Sequence, residues 1–391
     1  MNERVVSLEA AIEWLCEGAG PDGSETLPLE QCGERVAATD IKAPLDMPPW
    51  PAAKVDGYAV VWHQWQRHYE VIGTLEAGAP PPERFAEGQA LRVFTGAELP
   101  VSSSVVIRDE DAEWENGELL VRAMPRVRYI APVGSRVRQG AVLAPSGAVL
   151  GIESLELLSS LGIADLSVYR KPRVGVLVSG SELQTPGQEL GPGQIYNSNR
   201  IMYSRMLCAA GAEPVLLPAW TVPDCEEDLI AAIDELRADC GVIILCGGSG
   251  RGGKDLSKAV LERMGAEFLF TGVDVKPGNS SSAARLGSCT IINLPGPPAA
   301  GRLLFYTLVL PMLRRLRGVK DIDDDWFEVA LLRAEHPQPM RSLRMLSLLS
   351  AKGQFWVGSN VRSDAVCLGE VVVDVPPEGG KAGAIVNARL I

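Results

Sequence analysis

The spacing of hydrophobic residues changes along the chain and predicts regions of different structure. Residues 7–20 (SLEAAIEWLCEGAG) have the apolar period of an amphipathic helix, with Ser7 placed to cap its first turn. Prolines crowd residues 43–53, which suits neither a helix nor a central strand, so this segment indicates a domain junction. From residue 55 to about residue 145, short β-prone runs separated by Gly and Pro predict a small all-β domain.

The second half of the chain alternates apolar strands with amphipathic helices. Helical spacing returns at 151–163, in a helix that we expect to pack on the N-terminal one. Four apolar strands then alternate with four helices, at 173–180, 213–220, 241–248 and 289–296 for the strands and at about 198–211, 225–238, 255–265 and 298–316 for the helices. This alternation indicates a parallel sheet covered on both faces. Because such sheets bind ligands at the carboxyl ends of their strands, the polar loops that follow predict one pocket.

Composition and charge restrict the possible functions. The 391 residues are 46% hydrophobic and carry a formal net charge of −12, which argues against a general nucleic-acid-binding protein. The eight cysteines occur singly, without zinc-like spacing, so we expect free thiols, with Cys208, Cys240, Cys246 and Cys289 buried. We expect a cytoplasmic protein, since the N-terminus lacks a signal-peptide core and no uncharged apolar stretch has the length of a membrane span.

A glycine-rich loop at 247–255, GGSGRGGKD, joins a predicted strand to a predicted helix. Gly248, Gly253 and Lys254 fit the P-loop pattern G-x-x-x-x-G-K, but Asp255 stands where a P-loop has the Ser or Thr that binds magnesium. The loop is therefore a nucleoside-triphosphate site, a phosphate site of another kind or a tight turn. Glycine-rich turns bind phosphate through backbone N–H groups without needing net positive charge.

Six motifs in the same order resemble those of the MoeA/gephyrin family, the molybdopterin molybdenumtransferases. In the first half, VDGYAV (55–60) is similar to M-D-G-Y-A, and TGAELP (95–100) to T-G-A-x-x-P. In the second half, SGSEL (179–183) with GQIYNSN (193–199) is similar to T-G-D-E-L with G-x-I-x-x-S/T-N, GGSGRGGKD to G-G-V-S-x-G-x-x-D, KPGNS (276–280) to K-P-G-K-P, and LPGPP (294–298) to L-P-G-N-P. The match covers nearly the whole chain, and the shared order of six motifs makes the resemblance specific.

The resemblance implies a multidomain α/β fold. Its parts would be a mixed helical/β base domain (1–44 and 139–171), an inserted β-domain (45–138), a doubly wound, Mog/MoaB-like molybdopterin-binding α/β domain (172–318) and a C-terminal β-barrel (319–391). It also implies a homodimer, whose active site lies between the doubly wound domain of one subunit and the inserted β-domain of the other.

The resemblance further implies magnesium-dependent insertion of molybdate into adenylylated molybdopterin, with release of AMP. A Mog-like adenylyltransferase and molybdoenzymes are the implied partners, with neither nucleic acid nor membrane. Asp255 then corresponds to the motif Asp, and the match to a P-loop is coincidental. The loop at 247–255 is predicted to bind a pterin phosphate and not to hydrolyse ATP.

The resemblance implies catalytic roles for Asp56, Glu182, Asp224 and Asp255, and magnesium binding by all of these except Asp224. Simpler alternatives exist for each: a hairpin turn for the Asp56–Gly57 pair, a surface loop for Glu182, and helix caps for Asp224 and Asp255. The implied substrate-binding residues are Thr95, Gly96, Ser179, Asn197, Ser198, Asn199, Gly247, Gly248, Ser249, Gly250, Pro277, Gly278, Asn279, Pro295 and Gly296. Helix capping alone would also explain Ser198.

Several residues depart from the motifs of the family, namely Ala53, Arg136, Ser179, Ser181, Gly250, Asn279 and Pro297. Among the departures that change charge, Asn279 replaces a Lys and Arg136 replaces an Asp. Charge-assisted contacts contribute roughly 1.5–3 kcal/mol each. The chain is therefore either an active molybdenumtransferase or a non-catalytic molybdopterin-binding paralogue that carries or senses the cofactor. A P-loop ATPase is the third hypothesis. It is disfavoured because the loop has Asp255 in place of the hydroxyl residue that would bind magnesium.

Overall fold

The computed structural model describes most of the chain as four regions. The first region, the base, is built from two segments, one before and one after the second region. The described residues are 4–63, 66–83, 85–123, 126–247, 256–320, 326–332, 335, 337–338, 340–351, 354–358 and 366–390. Within this part of the chain, none of the helices combines the length and the hydropathy that a membrane span requires.

The first region begins with strand β1 (Val5–Val6) and helix α1 (Leu8–Cys16). The predicted cap is confirmed, because Ser7 Oγ accepts a hydrogen bond from the Ala10 N–H at 3.2 Å. Three short strands follow: β2 (Ser24–Pro28), β3 (Ile41–Lys42) and β4 (Ala52–Ala53). A 3₁₀ turn, Leu29–Gln31, lies between the first two of these.

The inserted region is a six-stranded sheet, as its β-prone runs predict. Its strands are β5 (Gly57–Val60), β6 (His68–Leu75), β7 (Gln89–Val93), β8 (Val105–Arg108), β9 (Ala112–Glu115) and β10 (Glu118–Val121), in the spatial order β8-β5-β7-β6-β10-β9. Central strand β5 begins at Gly57, where a Cβ atom would lie 1.9 Å from the Ile107 carbonyl oxygen. Only glycine therefore fits at the residue that directly follows Asp56.

The chain then returns to the base. The returning elements are β11 (Ile130–Ala131), β12 (Val142–Ala144), α2 (Ile152–Ser160) and β13 (Asp165–Tyr169), and the three strands pair antiparallel with β4, β3 and β2 respectively. Helix α2 buries Leu158 in a core shared with Cys32 and Val168. The expectation that α2 packs on α1 is wrong, because α1 buries its apolar face in another core. Its Leu8, Ala11 and Leu15 pack in the α/β region described next.

The third region is a six-stranded sheet with helices on both faces. Its chain order is β14 (Arg173–Val178), β15 (Leu183–Gln184), β16 (Ile195–Tyr196), α3 (Asn199–Ala209), β17 (Glu213–Leu216), α4 (Glu226–Arg237), β18 (Val242–Cys246), α5 (Leu256–Arg263), β19 (Glu267–Phe270), β20 (Gly272–Val273), β21 (Ser282–Leu286), β22 (Cys289–Leu294), α6 (Pro298–Leu304), a π-helix (Phe305–Val309) and α7 (Leu310–Leu316). Strands β17, β14, β18 and β22 are parallel neighbours, as predicted.

Strands β21 and β19 extend this sheet, and β21 runs antiparallel to β22. The predicted parallel sheet therefore has an antiparallel edge, which the prediction did not include. Leu286 pairs with Cys289, so only two residues form the turn of a β21–β22 hairpin. Such a hairpin adds a strand without a crossover helix, and the strand–helix alternation gives no sign of it. Separate apolar cores fill the two faces, so the prediction that helices cover both is confirmed.

The last region is a closed five-stranded barrel, which confirms a C-terminal β-barrel. Its strands are β23 (Trp326–Leu331), β24 (Ser342–Ala351), β25 (Gln354–Gly358), β26 (Val366–Val375) and β27 (Ile385–Leu390), and its interior is aliphatic. A backbone bridge between Lys276 and Ser342 joins the barrel to the α/β region. The residue boundaries given to the four domains stay predictions.

We expect Gly57→Ala to destabilise the protein by about 2 kcal/mol, since the new methyl group would displace β8 from β5. Gly20→Ala is the control, because no atom lies within 4 Å of the added Cβ there. Urea denaturation followed by circular dichroism measures both. Equal midpoints for the two variants would contradict the close packing of β5 on β8.

Candidate functional site

The loops that follow β14, β18 and β22 enclose a cavity of about 620 Å³, as predicted from the carboxyl ends of the strands. Residues of the α/β region line it: Val178, Ser179, Gly180, Glu182, Leu183, Ile195, Tyr196, Asn197, Ser198, Asn199, Asp224, Cys246, Gly247, Gly296, Pro297 and Pro298. A cavity of about 700 Å³ between α1, the π-helix and the barrel is larger but contains none of the predicted site residues. We therefore assign the candidate site to the smaller cavity.

The ends of β14 and β18 approach each other closely at the floor of this cavity. Ser179 donates its N–H to the Cys246 carbonyl at 2.9 Å. Gly247 has φ +107°, and a Cβ atom there would lie 1.9 Å from the Ser179 carbonyl oxygen. Glycine is required for two reasons. Other residues rarely adopt this φ, and the space beside the Ser179 carbonyl does not admit a side chain.

Asp224 lies where its carboxylate contacts the loop that follows β14. Its Oδ1 accepts a hydrogen bond from Ser179 Oγ, and its Oδ2 accepts one from the Ser181 N–H at 3.0 Å. The alternative role as a cap of α4 is wrong, because Cys225 caps that helix by accepting the Asp228 N–H at its Sγ.

Glu182 presents an exposed carboxylate to the same cavity. Its backbone is held by Ile195, whose N–H donates to the Glu182 carbonyl at 2.8 Å. Within the described residues, no hydrogen bond or ion pair engages the Glu182 carboxylate. The Glu182 carboxylate is therefore available to a ligand. Asp224 is less available, because both of its oxygens already accept hydrogen bonds.

The first turn of α3 forms another wall of the cavity. Asn197 is 1% exposed; its Nδ2 donates to the Trp220 carbonyl at 2.7 Å, and its Oδ1 accepts the Arg200 N–H at 3.1 Å. Ser198 makes no side-chain capping bond. The capping explanation for Ser198 is therefore wrong, and its exposed hydroxyl faces the cavity.

Asn199 and Cys246 form the floor, together with the loop that follows β22. Asn199 Nδ2 donates to the Gly296 carbonyl at 2.8 Å and lies 3.1 Å from Cys246 Sγ. The Cys246 thiol also lies 3.6 Å from the Pro295 carbonyl oxygen. Burial raises the pKa of Cys246 to about 12, so the thiol is protonated at neutral pH. Sequence reasoning missed Cys246 as a site residue, although its position directly before Gly247 is a usable signal.

Asp56 and Thr95 lie together in the inserted sheet region. Asp56 Oδ1 accepts both the Thr95 N–H at 2.7 Å and Thr95 Oγ at 2.8 Å. These two donors, the backbone N–H first, hold the pKa of the Asp56 carboxyl below its ordinary value. The hairpin alternative for Asp56 is wrong, because β4 and β5 flank it and pair with other strands. Gly96 follows at φ +84° and donates its N–H to the Ala53 carbonyl.

The other predicted residues within the described ranges do not line the cavity. Pro277, Gly278 and Asn279 lie in the loop between β20 and β21, beside the barrel, where Asn279 Nδ2 lies 3.8 Å from Met340 Sδ. Arg136 forms a surface ion pair with Glu156 of α2 at 3.4 Å. Gly248, Ser249, Gly250 and Asp255 lie outside the described residues. No group of three or more His, Cys, Asp or Glu suited to a metal ion occurs in the described ranges.

A largely parallel sheet with a polar cavity at its strand ends defines an α/β ligand-binding protein, and the comparisons specify it further. Residues 6–162 match the model of the MoeA N-terminal region (domain I and II), and residues 175–315 match that of a probable molybdopterin binding domain. The chain belongs to the MoeA family.

Relatives and solved structures agree with this assignment. A molybdopterin molybdenumtransferase of Haemophilus influenzae is 34% identical over 304 residues, which are 77% of this chain and 74% of that protein. The molybdopterin molybdenumtransferase of Bacillus subtilis is 29% identical over 79% of this chain and 74% of its own length. The crystal structure of a molybdopterin biosynthesis MoeA protein from Pyrococcus horikoshii is 29% identical, with a TM-score of 0.78 over 99% of both chains.

We expect Thr95→Val to raise the pKa of Asp56 toward its ordinary value, because one of the two donors to Oδ1 is lost. Thr95→Ser keeps the hydroxyl and should leave this pKa lowered. In the wild-type protein the bonds to ionised Asp56 contribute stability above the ordinary carboxyl pKa, and the contribution is lost as the pH falls through the lowered pKa. Carboxyl ¹³C NMR titration measures the shift, and identical titrations of both variants would contradict the role of the hydroxyl.

The thiols should differ in reactivity. We expected Cys208 to be buried, and this is wrong: it is exposed on α3, whereas Cys240, Cys246 and Cys289 are buried as predicted. Iodoacetamide at pH 8, followed by peptide mass spectrometry, should label Cys208 within minutes and leave these three thiols unlabelled, since burial raises the pKa of each. Equal labelling of Cys246 and Cys208 would show that the cavity floor is open.

Proposed function

We propose that this protein inserts molybdate into adenylylated molybdopterin and releases AMP, in a magnesium-dependent reaction. The observation that carries the proposal is the cavity at the strand ends, in which the available Glu182 carboxylate faces the first turn of α3. Membership of the MoeA family, whose relatives are named molybdopterin molybdenumtransferases, supports the same reaction.

The residues of the cavity suit a phosphorylated pterin. The first N–H groups of a helix bind anions, and Ser198 adds a hydroxyl at the start of α3. Asn197 and Asn199 are fixed by bonds to backbone carbonyls, so this wall is organised before a ligand binds. We propose that Ser179, Gly247, Pro295 and Gly296 complete the contacts to the pterin and its phosphate.

Glu182, Asp56 and Asp255 are the proposed magnesium ligands. The described residues contain no group of three or more His, Cys, Asp or Glu side chains that could hold the ion by themselves. Magnesium usually binds to one or two carboxylates together with substrate phosphates and water, and the site fits this mode. Glu182 meets that requirement, because its carboxylate is exposed in the cavity and unengaged within the described residues. Bound magnesium would neutralise phosphate charge as AMP leaves.

We propose that the site is completed by a second subunit of a homodimer. The residues that line the cavity all belong to the α/β region, whereas Asp56 and Thr95 lie in the inserted sheet region. The partner's inserted region would supply these two residues and Gly96. We also propose a cytoplasmic protein that receives its substrate from a Mog-like adenylyltransferase and passes the cofactor to molybdoenzymes.

A non-catalytic molybdopterin-binding paralogue is the second candidate function. Two observations favour it: neutral Asn279 lies beside the barrel instead of in the cavity, and Arg136 is paired with Glu156. Position 279 has lost the charge of the family motif, and position 136 carries the opposite charge. A protein altered in this way would retain the cavity that binds the pterin while losing contacts to molybdate.

Isothermal titration with adenylylated molybdopterin, magnesium and molybdate, combined with chromatographic detection of AMP, tests the proposed function. We expect binding and AMP release in the wild-type protein, and release slowed about 10- to 100-fold in Glu182→Gln, which loses one charged contact. Glu189→Gln, an exposed carboxylate outside the cavity, is the matched control and should not differ from wild type. Binding without AMP release would favour the paralogue, and absence of binding would contradict both functions.

A further inference from the structure

We infer that Asp224 is a positioning residue, which fixes the turn at residues 179–182 and thereby directs Glu182 into the cavity. The inference rests on the proposed function and refines it. Asp224 and Glu182 both line the cavity, and sequence reasoning gave both a catalytic role. The structure separates their roles through the partners of the two carboxylates.

Both oxygens of Asp224 are already bonded to the turn. Ser179 Oγ donates to Oδ1 at the start of the turn, and the Ser181 N–H donates to Oδ2 one residue before Glu182. One carboxylate thus holds two points of the same short segment. Each oxygen of Asp224 thus already accepts one bond, whereas no hydrogen bond engages the Glu182 carboxylate among the described residues.

Backbone contacts alone hold the turn less completely. Its base is joined to β18 through the Ser179 N–H, and Leu183 closes the turn by donating to the Gly180 carbonyl at 3.1 Å. The Gly180 N–H lies at a longer 3.4 Å from the Val222 carbonyl. The Glu182 carbonyl also accepts the Ile195 N–H, whereas the N–H of Ser181, in the middle of the turn, donates to Asp224.

The turn also determines where the Glu182 side chain lies. An ideal Cβ at Gly180 would be 3.0 Å from Glu182 Oε2, so the carboxylate folds back over a position that has no side chain. A change in the peptide between residues 180 and 181 would move this carboxylate relative to the cavity. The geometry of Glu182 hence depends on the bonds that Asp224 accepts.

This arrangement accounts for two departures from the family motif. Ser179 stands at the Thr of T-G-D-E-L and still supplies a hydroxyl to Asp224. Ser181 stands at the Asp of that motif, and only its backbone N–H is used by Asp224. Both residues supply the bonds that Asp224 accepts, so both are compatible with a working Glu182.

Three variants separate positioning from direct binding: Ser179→Ala, Asp224→Asn and Glu182→Gln. The readouts are the affinity for Mn²⁺ in the presence of AMP, measured by electron paramagnetic resonance, and hydrogen exchange of the peptide that spans residues 179–196. We expect Glu182→Gln to weaken Mn²⁺ binding at least 10-fold with unchanged exchange. Ser179→Ala removes no charge, yet it should weaken binding about 3- to 10-fold and speed exchange of the turn.

Asp224→Asn should behave like Ser179→Ala in both readouts. The double variant Ser179→Ala/Asp224→Asn should bind Mn²⁺ no more weakly than Asp224→Asn alone. Glu189→Gln is the control for the loss of a nearby carboxylate. Thermal melting excludes variants that fail to fold, and Ser179→Ala keeps the test decisive if Asp224→Asn is one of them.

Either of two results would overturn the positioning role. One is unchanged hydrogen exchange in Ser179→Ala. The other is unchanged exchange in Asp224→Asn together with an Mn²⁺ affinity as low as that of Glu182→Gln. The failure of the proposed function looks different. Wild-type protein that binds no Mn²⁺ would contradict the proposed cation site, whereas faster exchange in both Ser179→Ala and Asp224→Asn would still support the hold of Asp224 on the turn.

Discussion

The contact between the ends of β14 and β18 is the constraint on which the candidate site depends. Gly247 turns away from β18 at φ +107°, at a distance from the Ser179 carbonyl that excludes any side chain. The two parallel strands therefore stay paired up to their last residues, where Ser179 bonds to Cys246. This pairing places the turn that carries Glu182 beside the floor formed by Cys246 and Asn199, and it gives the cavity a rigid base.

Polar groups around that base are held by local bonds, and this makes their roles distinct. Asn197 and Asn199 are tied to carbonyl groups, Asp224 is tied to the turn at residues 179–182, and Glu182 remains available within the described structure. In the inserted region, Thr95 occupies one oxygen of Asp56. Preorganisation of this kind reduces the entropy that ligand binding would otherwise cost.

Much of the fold could be predicted from the sequence, because strand and helix periodicities are local properties. The four parallel strands, the cap at Ser7 and the pocket at the strand ends follow from such patterns. The β21–β22 hairpin and the packing of α1 could not be predicted, since both depend on contacts between distant segments. At the site, residue types identified Asp224 and Glu182, but only the bonds from Ser179 and Ser181 distinguish what the two carboxylates do.

The packing of α1 has a consequence for how the chain is synthesised. Strand β1 pairs with β20, and α1 packs in one core with Phe305 of the π-helix and Met312 of α7. Helix α1 thus finds these partners only after nearly the whole α/β region has been made. Until then α1 lacks the core partners with which its apolar face packs in the folded protein, so this core can close only late in translation.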